Sequence, residues 1–169
     1  ALGAGVYSYL VIDSVGCIDS NQVFVHSLSV IQAVATVNDA SCYTYCDGSV
    51  NLLITSGVSP YIIEYFDNND SLVSSNQLCV GAYHYQITDN LGCEYIDSFL
   101  INEPQDLTLQ ITTSPNMLHA VATGGSLPYL FQWWDNSGLL SNLPDLNVID
   151  PGVYYCIVYD RNDCHSDTV

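Results

Sequence analysis

Cysteines are the most reactive residues of this sequence, and seven of them occur within 169 residues. A short chain this rich in cysteine is typical of an oxidising compartment, where thiols pair as disulfides. Cys42, Cys46, Cys79 and Cys93 form one set along the chain, and four cysteines allow three pairings. Of these pairings we favour Cys42 with Cys93 and Cys46 with Cys79.

The other three cysteines need a separate interpretation. Cys156 and Cys164 flank a turn centred on Asp160, so they can face each other across a hairpin. Cys17 is then the odd one, and its partner is expected to precede the first residue. Zinc is the alternative to disulfides, but it needs closely spaced pairs of Cys and His that converge on one site, and a single Cys-x3-Cys spacing is weak support.

A turn that begins with aspartate precedes three of the cysteines at constant spacing. It reads Asp13-x-x-Gly and Asp89-x-x-Gly, and the third copy, from Asp160, has Asp163 in place of glycine. The aspartate could be a cation ligand. The simpler interpretation is that its side chain caps the turn while the Gly or Asp adopts the left-handed conformation, so we expect a structural role.

A second acidic feature, an Asp-Ser or Asp-Thr pair, follows each of those cysteines. Carboxylates near the junctions of consecutive domains can hold Ca²⁺ and stiffen a rod of domains. No Asp-x-Asp-x-Asp-Gly loop is present, and solvated surface charge is the alternative. The calcium candidates are Asp19, Asp97 and Asp167, and no other cofactor is expected.

Sequence motifs of enzymes are missing. The four histidines are dispersed, with no His-x-His or His-Glu-x-x-His pair, and there is neither a Gly-x-Ser-x-Gly elbow nor a glycine-rich phosphate loop. Lysine is absent, which removes Lys-based catalysis. We therefore expect no catalytic residues.

Charge excludes several classes of binding partner. The 18 Asp and Glu residues oppose a single Arg161, and the formal net charge is -17. Nucleic acids and anionic membranes are bound through clustered Lys and Arg, so neither is an expected partner. No stretch approaches the roughly 18 consecutive apolar residues of a transmembrane helix, so membrane insertion is not expected either.

Self-similarity divides the chain. A Gly-x-Tyr segment that starts at Gly5, Gly81 and Gly152 leads in each copy to a cysteine 12 residues after the glycine. A second block, Gly-x-x-Pro-Tyr, starts at Gly57 and again at Gly125. This spacing corresponds to one small domain per copy. The predicted domains are the C-terminal part of a truncated repeat (1–28), a complete repeat (29–104) and a repeat truncated in its last strand (105–169).

The alternation of side chains predicts the fold class. Tyr83, Tyr85 and Ile87 fall on one face of their segment, a period of two that is typical of strands. Short strands, frequent turn signals and no helical periodicity predict an all-β fold of tandem, disulfide-stapled immunoglobulin-like β-sandwich repeats. In such a sandwich a tyrosine hydroxyl ties one strand to the backbone, and a tryptophan fills the core. The predicted core residues are Tyr7, Tyr83, Tyr154 and Trp133.

The combined order of motifs resembles the SprB repeat of giant surface adhesins in gliding and predatory Bacteroidota. The similarity covers residues 29–169 as two copies and residues 1–28 as a partial copy. The last copy departs from the pattern, because it lacks the first cysteines and has Asp163 where the pattern has glycine. The motifs that carry the resemblance are Ser41-Cys42, Cys46-Asp-Gly-Ser, Ser56-Gly-x-x-Pro-Tyr, Leu78-Cys-x-Gly-x-Tyr, Asp89-x-x-Gly-Cys and Ile101-x-Glu-Pro.

The resemblance implies an extracellular protein, exported by the type IX secretion system, that serves in attachment, gliding motility or prey capture. Its partners would be neighbouring repeats of the same chain, other copies in a multichain fibre, and a cell-surface or polysaccharide ligand. The alternative is a carbohydrate-binding accessory module of a secreted multidomain hydrolase. Proteins of that phylum can be O-glycosylated at Asp-Ser or Asp-Thr before an apolar residue, which makes Ser14, Ser71 and Thr168 candidates.

Overall fold

A computed structural model describes residues 2–3, 5–25 and 30–169. Every regular element in these residues is a β-strand, so the predicted all-β class is confirmed. This part of the chain therefore contains no helix with the length and apolarity needed to cross a bilayer. His26 and the predicted boundary between residues 28 and 29 lie outside the described residues. The strands are β1 (Gly5–Ile12), β2 (Ile18–Val25), β3 (Gln32–Asn38), β4 (Gly48–Ser56), β5 (Ile62–Asp67), β6 (Leu72–Val73), β7 (Asn76–Leu78), β8 (Gly81–Thr88), β9 (Glu94–Ile101), β10 (Thr108–Ser114), β11 (Met117–Thr123), β12 (Leu130–Asp135), β13 (Gly138–Ser141), β14 (Asp145–Asn147) and β15 (Tyr155–Tyr159).

Strand pairing arranges these elements in five sheets. The hairpin β1-β2 forms a sheet of two strands. The middle of the chain forms one sheet of order β3-β4-β7 and another of order β6-β5-β8-β9. The last part forms β10-β11-β14 and β13-β12-β15. The order of β3 to β8 thus recurs in β10 to β15, and β9 has no counterpart among the later named strands.

The strands pack into two compact units, which differ from the division predicted by the repeat. The first unit comprises Ala1–Val34, Leu53–Ile63 and Gln86–Ile96, and Ile31 and Ile87 are buried in it. The second comprises Ala35–Leu52, Glu64–Tyr85 and Asp97–Val169. The boundaries predicted for the repeats stay predictions.

A tryptophan is at the centre of one core cluster in the second unit. Trp133, on β12, is fully buried with Cys156, which lies directly opposite it on β15. Ala120 and Leu146 complete the cluster, and the indole Nε1 donates a hydrogen bond to Leu143 O at 3.1 Å. The prediction of Trp133 as a core residue is confirmed. Its only polar hydrogen is satisfied, as a buried indole requires.

The three Gly-x-Tyr tyrosines share one hydrogen bond. The hydroxyl of Tyr7 donates to Gly3 O at 2.8 Å, and that of Tyr83 donates to Cys79 O at 3.0 Å. Tyr154 bonds Asp150 O at 2.8 Å in the same way, four residues upstream. These rings are half-buried rather than fully buried, because each hydroxyl must reach the backbone at the strand entrance. The hydrogen bond to the backbone is as predicted. The three tyrosines are only partly buried, whereas Tyr85 on β8 is fully buried.

Removal of one hydroxyl tests this tie. The substitution Tyr154→Phe keeps the ring and deletes the bond to Asp150 O, so we expect the free energy of unfolding to fall by about 0.5–1.5 kcal/mol. Urea denaturation followed by tryptophan fluorescence measures the change. The matched control is Tyr155→Phe, on the exposed neighbouring side chain. Equal effects of the two substitutions would contradict a stabilising role for the bond.

Candidate functional site

One buried aspartate holds the turn that follows β15. Asp160 is 5% exposed, and its Oδ1 accepts hydrogen bonds from the backbone N–H groups of Asn162 (2.8 Å) and Cys164 (3.0 Å). Its Oδ2 accepts a third from Ser126 N–H at 2.8 Å, in the loop between β11 and β12. Arg161 N–H returns a bond to Ser126 O at 2.9 Å, and Asp160 N–H donates to Cys164 O at 2.9 Å. The carboxylate thus ties two loops together.

The turn between β8 and β9 has the same five bonds. Asp89 is 5% exposed, and its Oδ1 accepts from Leu91 N–H (2.9 Å) and Cys93 N–H (3.0 Å). Its Oδ2 accepts from Val58 N–H at 3.2 Å, in the loop between β4 and β5. Asn90 N–H bonds Val58 O at 2.9 Å, and Asp89 N–H bonds Cys93 O at 3.0 Å. Cys93 and Cys164 therefore occupy equivalent positions.

The hairpin β1-β2 contains a third copy of the turn. Asp13 Oδ1 accepts from Cys17 N–H at 2.8 Å and Val15 N–H at 2.9 Å, and these bonds lower the pKa of Asp13. The interpretation of the aspartate as a structural cap is confirmed, because its oxygens are used by backbone donors. The third residue after each aspartate is left-handed, with φ of 91° at Gly16, 77° at Gly92 and 62° at Asp163.

The calcium candidates do not come together. Asp19, Asp97 and Asp167 are all exposed, and they lie on β2, on β9 and beyond β15. Asp97 Oδ2 is 3.5 Å from the Tyr85 hydroxyl. Within the described residues no three His, Cys, Asp or Glu side chains are grouped closely enough to hold a metal ion. The arrangement gives the calcium prediction no support.

Carboxylates also stabilise the loop between β3 and β4, which the sequence did not single out. Glu103 Oε2 accepts a hydrogen bond from Thr44 N–H at 2.7 Å. Asp47 accepts from the Ser41 hydroxyl and from Ser41 N–H, and both bonds lower the pKa of Asp47. An Asp six residues after a Ser was the available signal in the sequence. The loop is therefore held by one carboxylate of its own, Asp47, and by Glu103, which follows β9.

Cys46 and Cys79 form a disulfide, as predicted. Cys46 lies two residues before β4, and Cys79 directly follows β7. These two strands are neighbours, and Gly48 lies opposite Leu78. The bond therefore closes a loop at the place where strand pairing has already brought the two segments together. Its presence, with a second disulfide, indicates an oxidising, non-cytoplasmic environment.

The predicted pairing of Cys42 with Cys93 is wrong, because Cys42 is bonded to Cys164. Cys42 lies in the loop that Cys46 ties to the start of β8 through Cys79. Cys93 lies beyond the other end of β8, and eight residues of strand span about 27 Å. Cys93 remains a half-buried free thiol, and burial followed by the charge of Asp89 raises its pKa.

The predicted pairing of Cys156 with Cys164 is also wrong, and the hairpin register explains why. Asp160 lies opposite Cys164, whereas Cys156 exchanges both backbone hydrogen bonds with Val169. The two cysteines are thus offset by four residues, or about 13 Å, along the strand. Cys156 instead points into the tryptophan cluster, where burial raises its pKa to about 11.

The Cys42–Cys164 bond is accompanied by polar contacts. Asn162 Nδ2 donates to Ser41 O at 2.9 Å and lies 3.5 Å from the Ser126 hydroxyl. A cavity of about 210 Å³ adjoins the disulfide, and Tyr43 and Tyr45 contribute to its lining. The two segments, residues 41–45 and 160–165, thus form one docked contact, which we call the staple contact. It is the feature of this region that sequence reasoning missed.

The remaining residues singled out in the sequence are the glycosylation candidates, Cys17 and the histidines. Ser14, Ser71 and Thr168, the predicted glycosylation positions, are all exposed. Cys17 is an exposed free thiol, and its bonding to a preceding segment stays a prediction. Of the described histidines, His84 lies 3.7 Å from Asp70 and stacks on Phe66, and His119 contacts Asp145. These histidines are dispersed, as the sequence indicated.

Comparison with known proteins gives no identification, since neither the protein-family models nor the curated proteins contain a match to this chain.

Alkylation under native conditions tests the cysteine assignments. Iodoacetamide should modify exposed Cys17 first and half-buried Cys93 more slowly, because the raised pKa of Cys93 lowers its thiolate fraction. Cys156 should react only after unfolding, since it is buried and has a pKa of about 11. Non-reducing peptide mapping by mass spectrometry measures all three. A peptide linking Cys156 to Cys164 would contradict the structure.

Proposed function

We propose that this chain is a structural and adhesive repeat segment of a giant extracellular cell-surface adhesin or fibre, used for attachment, gliding motility or prey capture. The observation that carries the proposal is the recurrence of one hydrogen-bonded unit. A tyrosine tied four residues back and an aspartate-capped turn that ends in cysteine occur at Tyr7, Tyr83 and Tyr154 and at Asp13, Asp89 and Asp160.

An immunoglobulin-like repeat accounts for the strand order of the middle and last parts of the chain. In both, a sheet of three strands accompanies a sheet in which the strand that follows the Pro-Tyr block pairs with the strand that begins at or just after the Gly-x-Tyr block. We infer that the segment acts by its length and its surface, without catalytic residues.

The hairpin β1-β2 has the features of a further repeat, whose other strands would come from a segment outside the hairpin. Its Tyr9 and Val11 occupy the positions of Tyr85 and Ile87 on β8. Tyr85 and Ile87 are fully buried, whereas Tyr9 is 48% exposed and Val11 56%. Because the equivalent residues of β8 are buried, we infer that the face of β1 with Tyr9 and Val11 is also covered in the complete repeat. The simplest cover is the remaining strands of that repeat.

The staple contact has a direct mechanical consequence. A pull on the two ends of the chain reaches Cys42 and passes through the disulfide to Cys164. The 122-residue separation between them is therefore bypassed by a covalent bond and carries little load. Protection of this kind suits a segment that transmits force between a cell and a surface.

High negative charge suits the same role. With a formal net charge of -17, neighbouring segments repel one another and stay soluble, and salt outside the cell screens the repulsion within each fold. Attachment then relies on neighbouring repeats, on other chains of a fibre, or on a cell-surface ligand. Nucleic acid and anionic membrane do not fit this surface as partners.

Single-molecule stretching tests the load-bearing role. We expect the oxidised chain to resist extension and then release only residues outside the closed loop. The double substitution Cys42→Ser/Cys164→Ser should release about 30 nm more, because the separation of 122 residues contains a loop of 33 that Cys46–Cys79 keeps closed.

The matched control is Cys17→Ser, which removes a free thiol and leaves both disulfides in place. It should stretch like the unmodified chain. Extension of the oxidised chain without measurable resistance would contradict the load-bearing role. Equal contour lengths for the double variant and the control would contradict the transfer of force through the disulfide.

The alternative, a carbohydrate-binding accessory module, is favoured by one observation. Tyr43 is 45% exposed, Tyr45 is 53% exposed, and both line the cavity beside the disulfide. Exposed aromatic rings can stack on sugars. Affinity electrophoresis in gels that contain polysaccharide separates the two proposals. Retardation that Tyr43→Ala abolishes and Tyr155→Phe preserves would favour the module, whereas unchanged mobility favours the structural segment.

A further inference from the structure

We propose that the turn carrying Cys93 is the acceptor of an inter-repeat disulfide, whose donor is the opening segment of another repeat with the sequence Ser-Cys-x3-Cys-Asp-Gly. This inference rests on the proposed function, because it requires a further repeat in the same fibre. It assigns a partner to a thiol that is free within the described residues. The precedent is Cys164, which bonds such a segment at Cys42.

The equivalence of the two turns carries the argument. Asp89 and Asp160 accept the same three backbone N–H groups and fix the loops with the same two backbone bonds. Because the cysteine N–H bonds the aspartate in both turns, Cys93 and Cys164 leave the turn from equivalent backbone positions. A geometry that accepts a disulfide at Cys164 is therefore present at Cys93.

The donor segment is preorganised for this bond. Cys46–Cys79 anchors it to the sheet, and Asp47 fixes Ser41 by two hydrogen bonds beside Cys42. Cys42 therefore projects from a loop that is held before any partner arrives. The corresponding β10-β11 connection lacks cysteine and spans only residues 115–116, so the last repeat accepts a staple but cannot donate one in this way.

The two acceptor turns differ in their secondary contacts. Asn162, which donates to Ser41 O, is replaced by Leu91, and Ser126 is replaced by Val58. Leu91, two residues before Cys93, is 45% exposed, so the Cys93 turn has an exposed apolar side chain in place of the amide. The backbone position of Cys93 does not depend on this exchange, because both of its hydrogen bonds to Asp89 are kept.

The reaction is a thiol oxidation. The Cys93 thiol and the donor thiol each lose one hydrogen, an S–S bond forms between them, and a disulfide oxidant takes up the two electrons and two protons to become two thiols. The oxidising environment indicated by the two disulfides already present supplies oxidants of this class.

In a fibre, the proposed disulfides would close covalent loops that overlap along the chain. The loop closed by Cys42–Cys164 contains Cys93, so a bond from Cys93 to an earlier repeat closes a second loop that overlaps the first. The residues between Cys42 and Cys93 would then belong to both loops. A single backbone cut in one loop would leave the fibre covalently continuous.

A tandem duplication in the full chain tests the inference. A second copy of residues 29–104 is inserted after Pro104, so that Ser29 of the new copy follows Pro104 directly. The register is kept, because Leu107 and Ile31, both buried, then lie three residues after Pro104 and directly before β10 and β3. Tyr45→Phe in the first copy and Glu94→Asp in the second distinguish their peptides by mass.

Non-reducing peptide mapping after native alkylation gives the result. We expect Cys42 of the first copy to be linked to Cys93 of the second, with loss of alkylation at that Cys93, while Cys93 of the first copy is still alkylated. Substitution of the second copy's Cys93→Ser is the matched control, and it should make the first copy's Cys42 alkylatable.

The failures of the two proposals are distinguishable. If both copies form Cys46–Cys79 and the second copy's Cys42 bonds Cys164, but its Cys93 is alkylated, the inference is wrong and the repeat organisation stands. If either copy lacks Cys46–Cys79, the duplicated segment does not fold as a repeat, which contradicts the proposed function and the inference with it.

Discussion

The hydrogen bond from a backbone N–H to an aspartate carboxylate is the interaction on which this structure depends. With 18 acidic side chains and one arginine, most carboxylates have no Lys or Arg with which to form an ion pair. N–H donors offset the cost of burying a carboxylate, which is otherwise high. Asp89 and Asp160 each accept hydrogen bonds from three backbone N–H groups. These hydrogen bonds tie each turn to the loop that lies against it.

This interaction also constrains the residues around it. Gly125 has φ of 56°, and a Cβ there would lie 2.8 Å from Asp160 Oδ2. A side chain would therefore push the carboxylate away from the loop that it holds. The equivalent Gly57 has φ of 126° and no room beside Tyr61, where a Cβ would lie 3.0 Å from the ring. Glycine in the Gly-x-x-Pro-Tyr block thus serves close approach as well as backbone conformation.

The disulfides add covalent links between residues that are far apart in the sequence. Closing a loop of about 100 residues restricts the unfolded chain enough to contribute roughly 4–5 kcal/mol, so the 122-residue separation of Cys42–Cys164 is a substantial term for a small fold. The bond can form because an aspartate-capped turn and a loop fixed by Asp47 hold both thiols in place. The staple contact thus stabilises the fold against unfolding, and the same disulfide is the one proposed to carry mechanical load.

Much of the local structure could be predicted from the residues and their spacing. The strands, the tyrosine ties and the aspartate caps were predictable because each depends on side-chain alternation or on bonds within four or five residues. Cys46–Cys79 belonged to the favoured one of three possible pairings, and the structure explains it because β4 and β7 are neighbours. Tertiary structure alone decided that Cys42 reaches Cys164 and that Cys156 enters the core. Those outcomes depend on hairpin register and on the positions of distant loops, and residue spacing does not encode either of them.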